Sequence, residues 1–138
     1  MHGFDAEESA VSLCEERFAK NSRLTLNHQS FTQFQYPQAD LINASRSLFF
    51  CNQTVLPLVW EKIVSALPKG GIFCGDFLGE NDDWVVTQKP VAYITKNTLA
   101  DMLSNFEVVE CLENKKQGHT INGQPKYWHT YTIIAFKQ

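Results

Sequence analysis

The chain is predicted to form an α/β domain, with a mostly parallel sheet that ends in an antiparallel hairpin. Three observations carry this reading. Short apolar runs of strand length alternate with helical stretches from the first residue onward. Two of those stretches bear a clean apolar stripe: Leu56, Val59, Trp60, Ile63 and Leu67 in one, and Leu99, Met102, Leu103 and Phe106 in the other. Finally, two long strand-like runs over residues 106–114 and 126–136 close the sequence, joined by a polar segment that contains Gly118 and Gly123.

Each element has its own local reason. Residues 1–5 are a short apolar strand ending in the carboxylate of Asp5. Asp5 and Glu8 have capping-box spacing, and Val11, Cys14 and Phe18 follow at helical intervals, which predicts a helix over about residues 6–21. Residues 24–28 form a second short strand. The segment 29–38 is polar and aromatic, and Pro37 discourages regular structure there. Residues 40–45 read as a buried strand ending in small polar side chains. Thr54 is placed to cap the next helix, Pro57 sits where a missing N–H does no harm, and residues 68–71 (Pro-Lys-Gly-Gly) stop it. An apolar strand over 71–77 leads into a polar loop through Asp82, Asp83 and Trp84, and Thr95 starts the last helix. No repeat, low-complexity tract or linker interrupts the chain, so residues 1–138 are expected to be one domain.

Composition narrows the function. With 138 residues, 43% of them hydrophobic, the chain can build a real core. A net charge of −3 and a pI near 5.8 argue against nonspecific nucleic-acid binding, which needs a basic face. No apolar stretch approaches a membrane span, and no signal-peptide core follows Met1. Cys14, Cys51, Cys74 and Cys111 lack C-x-x-C spacing, as expected of reduced thiols in a cytoplasmic protein. Cys51 and Cys74 have no basic neighbour in sequence and read as core thiols rather than nucleophiles. The histidines at 2, 28, 119 and 129 lack paired metal-ligand spacing, so no metal is expected, and His119 is read as a solvated loop residue. Asn43 and Asn52 match the N-x-S/T glycosylation pattern, but the first falls in a predicted strand and both carry little weight.

The order of elements, the Leu67 to Phe73 run L-P-K-G-G-I-F, the Asp83-Trp84 pair and the terminal Pro125-Lys126-Tyr127-Trp128-His129 strand together resemble a known family. It is that of the class I S-adenosylmethionine-dependent methyltransferases, in particular the small tellurite-resistance and thiopurine type. The resemblance covers residues 1–138 and implies a Rossmann-like sheet that is N-terminally incomplete. The family's first strand, glycine-rich loop and first helix have no counterpart here. Since that strand lies at the centre of the family's sheet, its absence should leave unpaired strand edges. A truncated form, a complementing N-terminal segment or a rearranged homodimer would each account for this.

The resemblance also implies roles. Asp5 matches the acid that holds the cofactor's ribose, with Ala6 beside the adenine. Ser30 and Phe31 fall where relatives carry an acid and an aromatic at the adenine; here serine replaces the acid. Asn43, Ala44 and Ser45 would line the pocket around the cofactor's methionine part, with Phe49 and Phe50 at the substrate mouth. Asp76, Trp84, Trp128 and His129 are further candidates for the acceptor side. Each has a plainer reading. Asp5 could cap a helix, Asp76 a turn, Trp84 could fold back onto the sheet edge rather than act as a lid, and His129 could simply be packed. No catalytic residue is assigned, because methyl transfer from a sulfonium needs chiefly alignment and exclusion of water. The expected function is S-adenosylmethionine-dependent methyl transfer to a small-molecule acceptor, with no nucleic acid or membrane partner. The alternative is a catalytically inactive remnant or interaction module that kept the scaffold.

Overall fold

The computed structural model describes all residues from Met1 to Gln138, in two compact units, Met1–Tyr36 and Pro37–Gln138. In the first, strands β1 (His2–Asp5) and β2 (Thr25–His28) pair in parallel, joined by helix α1 (Glu8–Arg17). Parallel neighbours need such a crossover, because the chain must return to the starting end of the sheet. Rings hold this small sheet: Phe4 stacks on Phe34 at 4.2 Å and meets Phe31 at 5.7 Å and Tyr36 at 5.6 Å.

Helix α1 is shorter than the sequence implies. Val11 is buried, whereas Cys14 and Phe18 are exposed, so its apolar spacing is only partly used. Asp5 is not its N-cap. Glu7 holds that position without a side-chain bond, and Asp5 Oδ1 accepts the Glu7 N–H at 2.9 Å. An aspartate that closes on the amide two residues ahead forms a turn of its own, which competes with capping.

The second unit contains β3 (Leu41–Ala44), α2 (Leu56–Ala66), β4 (Ile72–Gly79), α3 (Asp83–Val86), β5 (Tyr93–Ile94), α4 (Lys96–Met102), β6 (Phe106–His119) and β7 (Pro125–Lys137). The sheet order is β3-β4-β7-β6, and β5 pairs with the last residues of β4. Strands β3 and β5 run parallel to β4, while β7 is antiparallel to both β4 and β6. The mostly parallel sheet with a terminal hairpin is thus present. The hairpin is longer than expected: Gly118 lies inside β6, and the turn over 120–124 closes at Gly123, whose φ of 77° favours glycine. Val109 bulges out of β6 where the register shifts between Val108 and Glu110.

The core lies under α2. Its predicted stripe of Leu56, Val59, Trp60, Ile63 and Leu67 is buried throughout. Trp60 packs on Phe73 at 4.9 Å and on Phe106 at 5.6 Å, and its indole N–H donates to the Met102 carbonyl at 3.1 Å. That bond ties α4 to α2 through an otherwise costly buried donor. Thr54 is not the cap of α2: Val55 stands there, and both the Thr54 N–H and its hydroxyl bond to Asn52 Oδ1. Thr95 does cap α4, accepting the Thr98 N–H at 3.1 Å. Strand β3 is less buried than expected, with Ala44 inside and Leu41 exposed. Open edges remain in both units: β1 and β2 pair only with each other, and the parallel strands β3 and β5 pair only with β4.

Candidate functional site

In the second unit the carboxyl ends of β3 and β4 meet the start of β7. The last rung that β4 shares with β7 pairs Leu78 with Thr130. Above it β4 turns away, and the β7 amides need other acceptors. Two carboxylates supply them. Asp82 Oδ2 accepts the His129 N–H at 3.1 Å, and Asp83 Oδ2 accepts the Tyr127 N–H at 2.6 Å. The segment expected as a polar loop is therefore the short helix α3, capped by Asp82, whose Oδ1 accepts the Trp84 N–H at 3.0 Å.

Asp82 is completely buried, and so, to within 2%, is Lys126. The Lys126 ammonium donates to Asp82 Oδ1 and to the Tyr127 carbonyl. It also lies 3.8 Å from the Trp128 ring centroid and 4.6 Å from that of Trp84. A buried charge is tolerated only when paired and hydrogen-bonded, and this lysine is both. Burial on this scale was not legible in the sequence.

His129 is packed, as its plainer reading proposed. Its ring fills the space where a Cβ on Gly79 would sit, only 2.3 Å away, so that position accepts nothing larger than glycine. Nδ1 accepts the Asn81 N–H at 3.1 Å, which puts the ring proton on Nε2, where it is donated to Glu113 Oε1 at 3.1 Å. Glu113 also receives Lys96 at 2.7 Å and Lys115 at 2.9 Å. The bond from Lys96, then that from Lys115, holds its carboxyl down at about 2. Tyr131, which donates to Glu113 Oε1 at 3.3 Å, is pushed up to about 12, first by burial and then by that carboxylate.

Beside this network the expected acceptor-side aromatics come together. Phe49 and Phe50 lie 4.6 Å apart, Phe50 and Trp84 6.1 Å, and Trp84 and Trp128 5.5 Å. Phe49 is buried, whereas Phe50 is 60% exposed. Trp84 folds back onto Trp128 and Lys126. Asp76 has the turn-holding role: Oδ2 accepts the Arg46 N–H at 3.0 Å and Oδ1 the Thr132 hydroxyl at 2.7 Å. Arg46 has φ 53°, a left-handed conformation that a non-glycine residue keeps only when held. Asn43 and Ser45 also close on themselves, since Asn43 Oδ1 accepts both the N–H and the hydroxyl of Ser45. Ala44, between them, is buried.

The remaining cofactor candidates lie in the first unit. Asp5 ends β1, exposed, with Oδ1 engaged by the Glu7 N–H and Oδ2 not engaged by it. The Ala6 carbonyl beside it is fixed by His28 Nε2 at 2.9 Å. The Ser30 hydroxyl donates to Gln33 Oε1 at 2.9 Å, and Phe31 presents its ring edgewise to Phe4. A carboxylate with a free oxygen at a strand's carboxyl end fits a ribose diol, and a half-buried Phe31 fits an adenine face. No group of three His, Cys, Asp or Glu side chains is placed to hold a metal ion, and no helix is long and apolar enough to cross a membrane. Cys51 is buried, which pushes its thiol up to about 11, and Cys74 is raised by burial and by Asp76.

The sequence matches no protein-family model and no curated protein. Solved structures do match. TehB from Haemophilus influenzae superposes with a TM-score of 0.82 at 17% identity, over 99% of this chain and 49% of that one. The N-methyltransferase NodS from Bradyrhizobium japonicum, in complex with S-adenosyl-L-homocysteine, gives 0.67 at 15% identity, over 96% of this chain and 65% of its own. The magnesium protoporphyrin IX methyltransferase ChlM from Synechocystis, with S-adenosylmethionine bound, gives 0.68 at 11% identity, over 99% of this chain and 59% of its own. The fold is that of a class I methyltransferase. The NodS and ChlM structures hold S-adenosyl-L-homocysteine and S-adenosylmethionine, respectively, on this fold. The chain spans about half the length of TehB.

Proposed function

We propose that this chain carries out S-adenosylmethionine-dependent methyl transfer to a small-molecule acceptor, as part of one class I methyltransferase domain that includes residues 1–138. The observation that carries the proposal is the agreement of almost the whole chain with methyltransferase structures at a TM-score of 0.82 to 0.67. Asp5 is consistent with this reading, since a carboxylate at the carboxyl end of β1 with one oxygen not taken up by Glu7 would suit a ribose diol. The bound cofactor would supply an electrophilic methyl group on its sulfonium. The chain's own residues bind and align. Asp5, Ala6, Ser30 and Phe31 would serve the adenosine part, and Asn43, Ala44 and Ser45 the methionine part. Phe49, Phe50, Trp84 and Trp128 would hold the acceptor and exclude water, with Asp76 and His129 supporting them from behind. The open strand edges of each unit would be available to a complementing segment or a second copy. A cytoplasmic setting suits the free thiols.

The test is formation of S-adenosylhomocysteine from S-adenosylmethionine across a panel of small acceptors, with Asp5→Ala as the control. Turnover that Asp5→Ala reduces at least about tenfold supports the reading. A folded sample that turns over no acceptor, or one indifferent to Asp5→Ala, rejects it.

A further inference from the structure

Next to Trp84 lies a surface cleft of about 320 Å³, a volume within the range of small-molecule sites. Its polar lining is Asn52, Gln53, Gln88, Lys89 and Tyr93, with Val85, Pro90 and Val91 as the apolar share. None of these residues entered the methyltransferase reading above, and no carboxylate is among them.

The hydrogen bonds show what this lining offers a ligand. Asn52 Oδ1 is taken up by the Thr54 N–H at 3.0 Å and the Thr54 hydroxyl at 2.9 Å. Gln53 Oε1 is taken up by the Tyr93 N–H at 2.7 Å. Both amides are thereby oriented by backbone donors, and their amino groups are what remains for a ligand. The Lys89 ammonium, 5.4 Å from the Trp84 ring centroid, has no carboxylate partner. The Tyr93 hydroxyl is a further donor. A cleft with one cation, two oriented amino groups and no acid is complementary to an anion. Lys89 links the cleft to Trp84, which itself lies 6.1 Å from the exposed Phe50, so an aromatic ring stands next to the anion site.

We propose that this cleft recognises an anionic group, of carboxylate type, on an aromatic acceptor whose ring lies against Trp84. The proposal rests on the methyl-transfer reading for the word acceptor, but not for the binding itself. The probes are benzoate, its neutral analogue benzamide and the cation benzylamine, each titrated into the ¹⁵N-labelled protein. Benzoate is expected to shift the side-chain amide signals of Asn52 and Gln53 and the indole signal of Trp84 saturably, at least about tenfold more tightly than benzamide. Lys89→Met should erase that difference. Gln53→Glu keeps an oxygen for the Tyr93 N–H but puts a negative charge in the cleft, and should abolish benzoate binding in a folded protein. Equal binding of the three probes, benzoate shifts centred elsewhere, or no saturable shift would overturn the proposal. S-adenosylhomocysteine titrated into the same sample separates the two readings. If it binds while benzoate does not, only the cleft proposal fails; if benzoate binds and it does not, the cleft stands and methyl transfer falls.

Discussion

The two units hold their sheets by different means. Residues 1–36 carry a two-stranded parallel sheet covered by Val11 of α1 and Phe34 after β2, the buried side chains of this unit, and stacked rings do most of the packing. Residues 37–138 bury an extended apolar core under α2 and add a polar network, also buried, at the carboxyl end of the sheet. A two-stranded sheet has little area to hide and is marginal by itself. The larger unit has enough buried apolar surface to carry a buried ion pair that does not have to be stabilising. Rigidity is therefore concentrated where the aromatic wall is held, and the strand end bearing Asp5 rests on a thinner foundation.

The largest break in this contrast should come from the core of the second unit. Trp60→Ala is expected to cost about 3–5 kcal/mol in a thermal or denaturant melt. In hydrogen exchange the amides of β1 and β2 should open faster than those of β4 and β7. Equal protection in the two sheets would contradict the difference drawn between them.

Next comes the buried pair. Asp82→Ala strands the Lys126 ammonium and leaves the Trp84 and His129 amides without their acceptor, a loss of about 3–5 kcal/mol. Lys126→Met should cost clearly less, because the Asp82 carboxylate keeps both amides. A reversed order would mean that the lysine, not the aspartate, organises the end of the sheet. Gly79→Ala should be milder, about 1–3 kcal/mol, and should displace the His129 ring. Unchanged His129 ring resonances in that variant would refute the close approach.

The smallest effect is a pH dependence. Glu113 is held at about 2 against an ordinary 4.5, so its contribution is fully present above pH 4.5 and is lost as pH falls towards 2. Acid melts of wild type and Glu113→Gln should therefore converge across that window. Parallel curves would show that the Lys96 and Lys115 contacts do not hold the charged form.

Much of this was legible in the sequence where the cause is local. The α2 stripe is a periodicity, the Thr95 cap a single side chain reaching its own helix, and the hairpin a pair of alternating runs. Phe49 and Phe50 were singled out by the resemblance, Trp84 as an aromatic in a polar loop and Trp128 as the neighbour of His129; that the four rings pack in a row is not readable from spacing. What stayed hidden depends on distant partners. Asp82 meets Lys126 across 44 positions, and neither has a neighbour that announces burial. The caps read at Asp5 and Thr54 failed for a local reason, since each side chain joined a tighter turn two residues long. The cleft at Lys89 was missed because it is assembled from the loops before α2 and after α3, and from amide oxygens committed elsewhere.

The most direct test of the central claim is calorimetric titration of the 138-residue chain with S-adenosylhomocysteine, after folding and oligomeric state have been established. The account predicts saturable binding that Asp5→Ala weakens. A folded, homogeneous sample that gives no binding heat at several temperatures would contradict it, and would leave a methyltransferase scaffold without its cofactor.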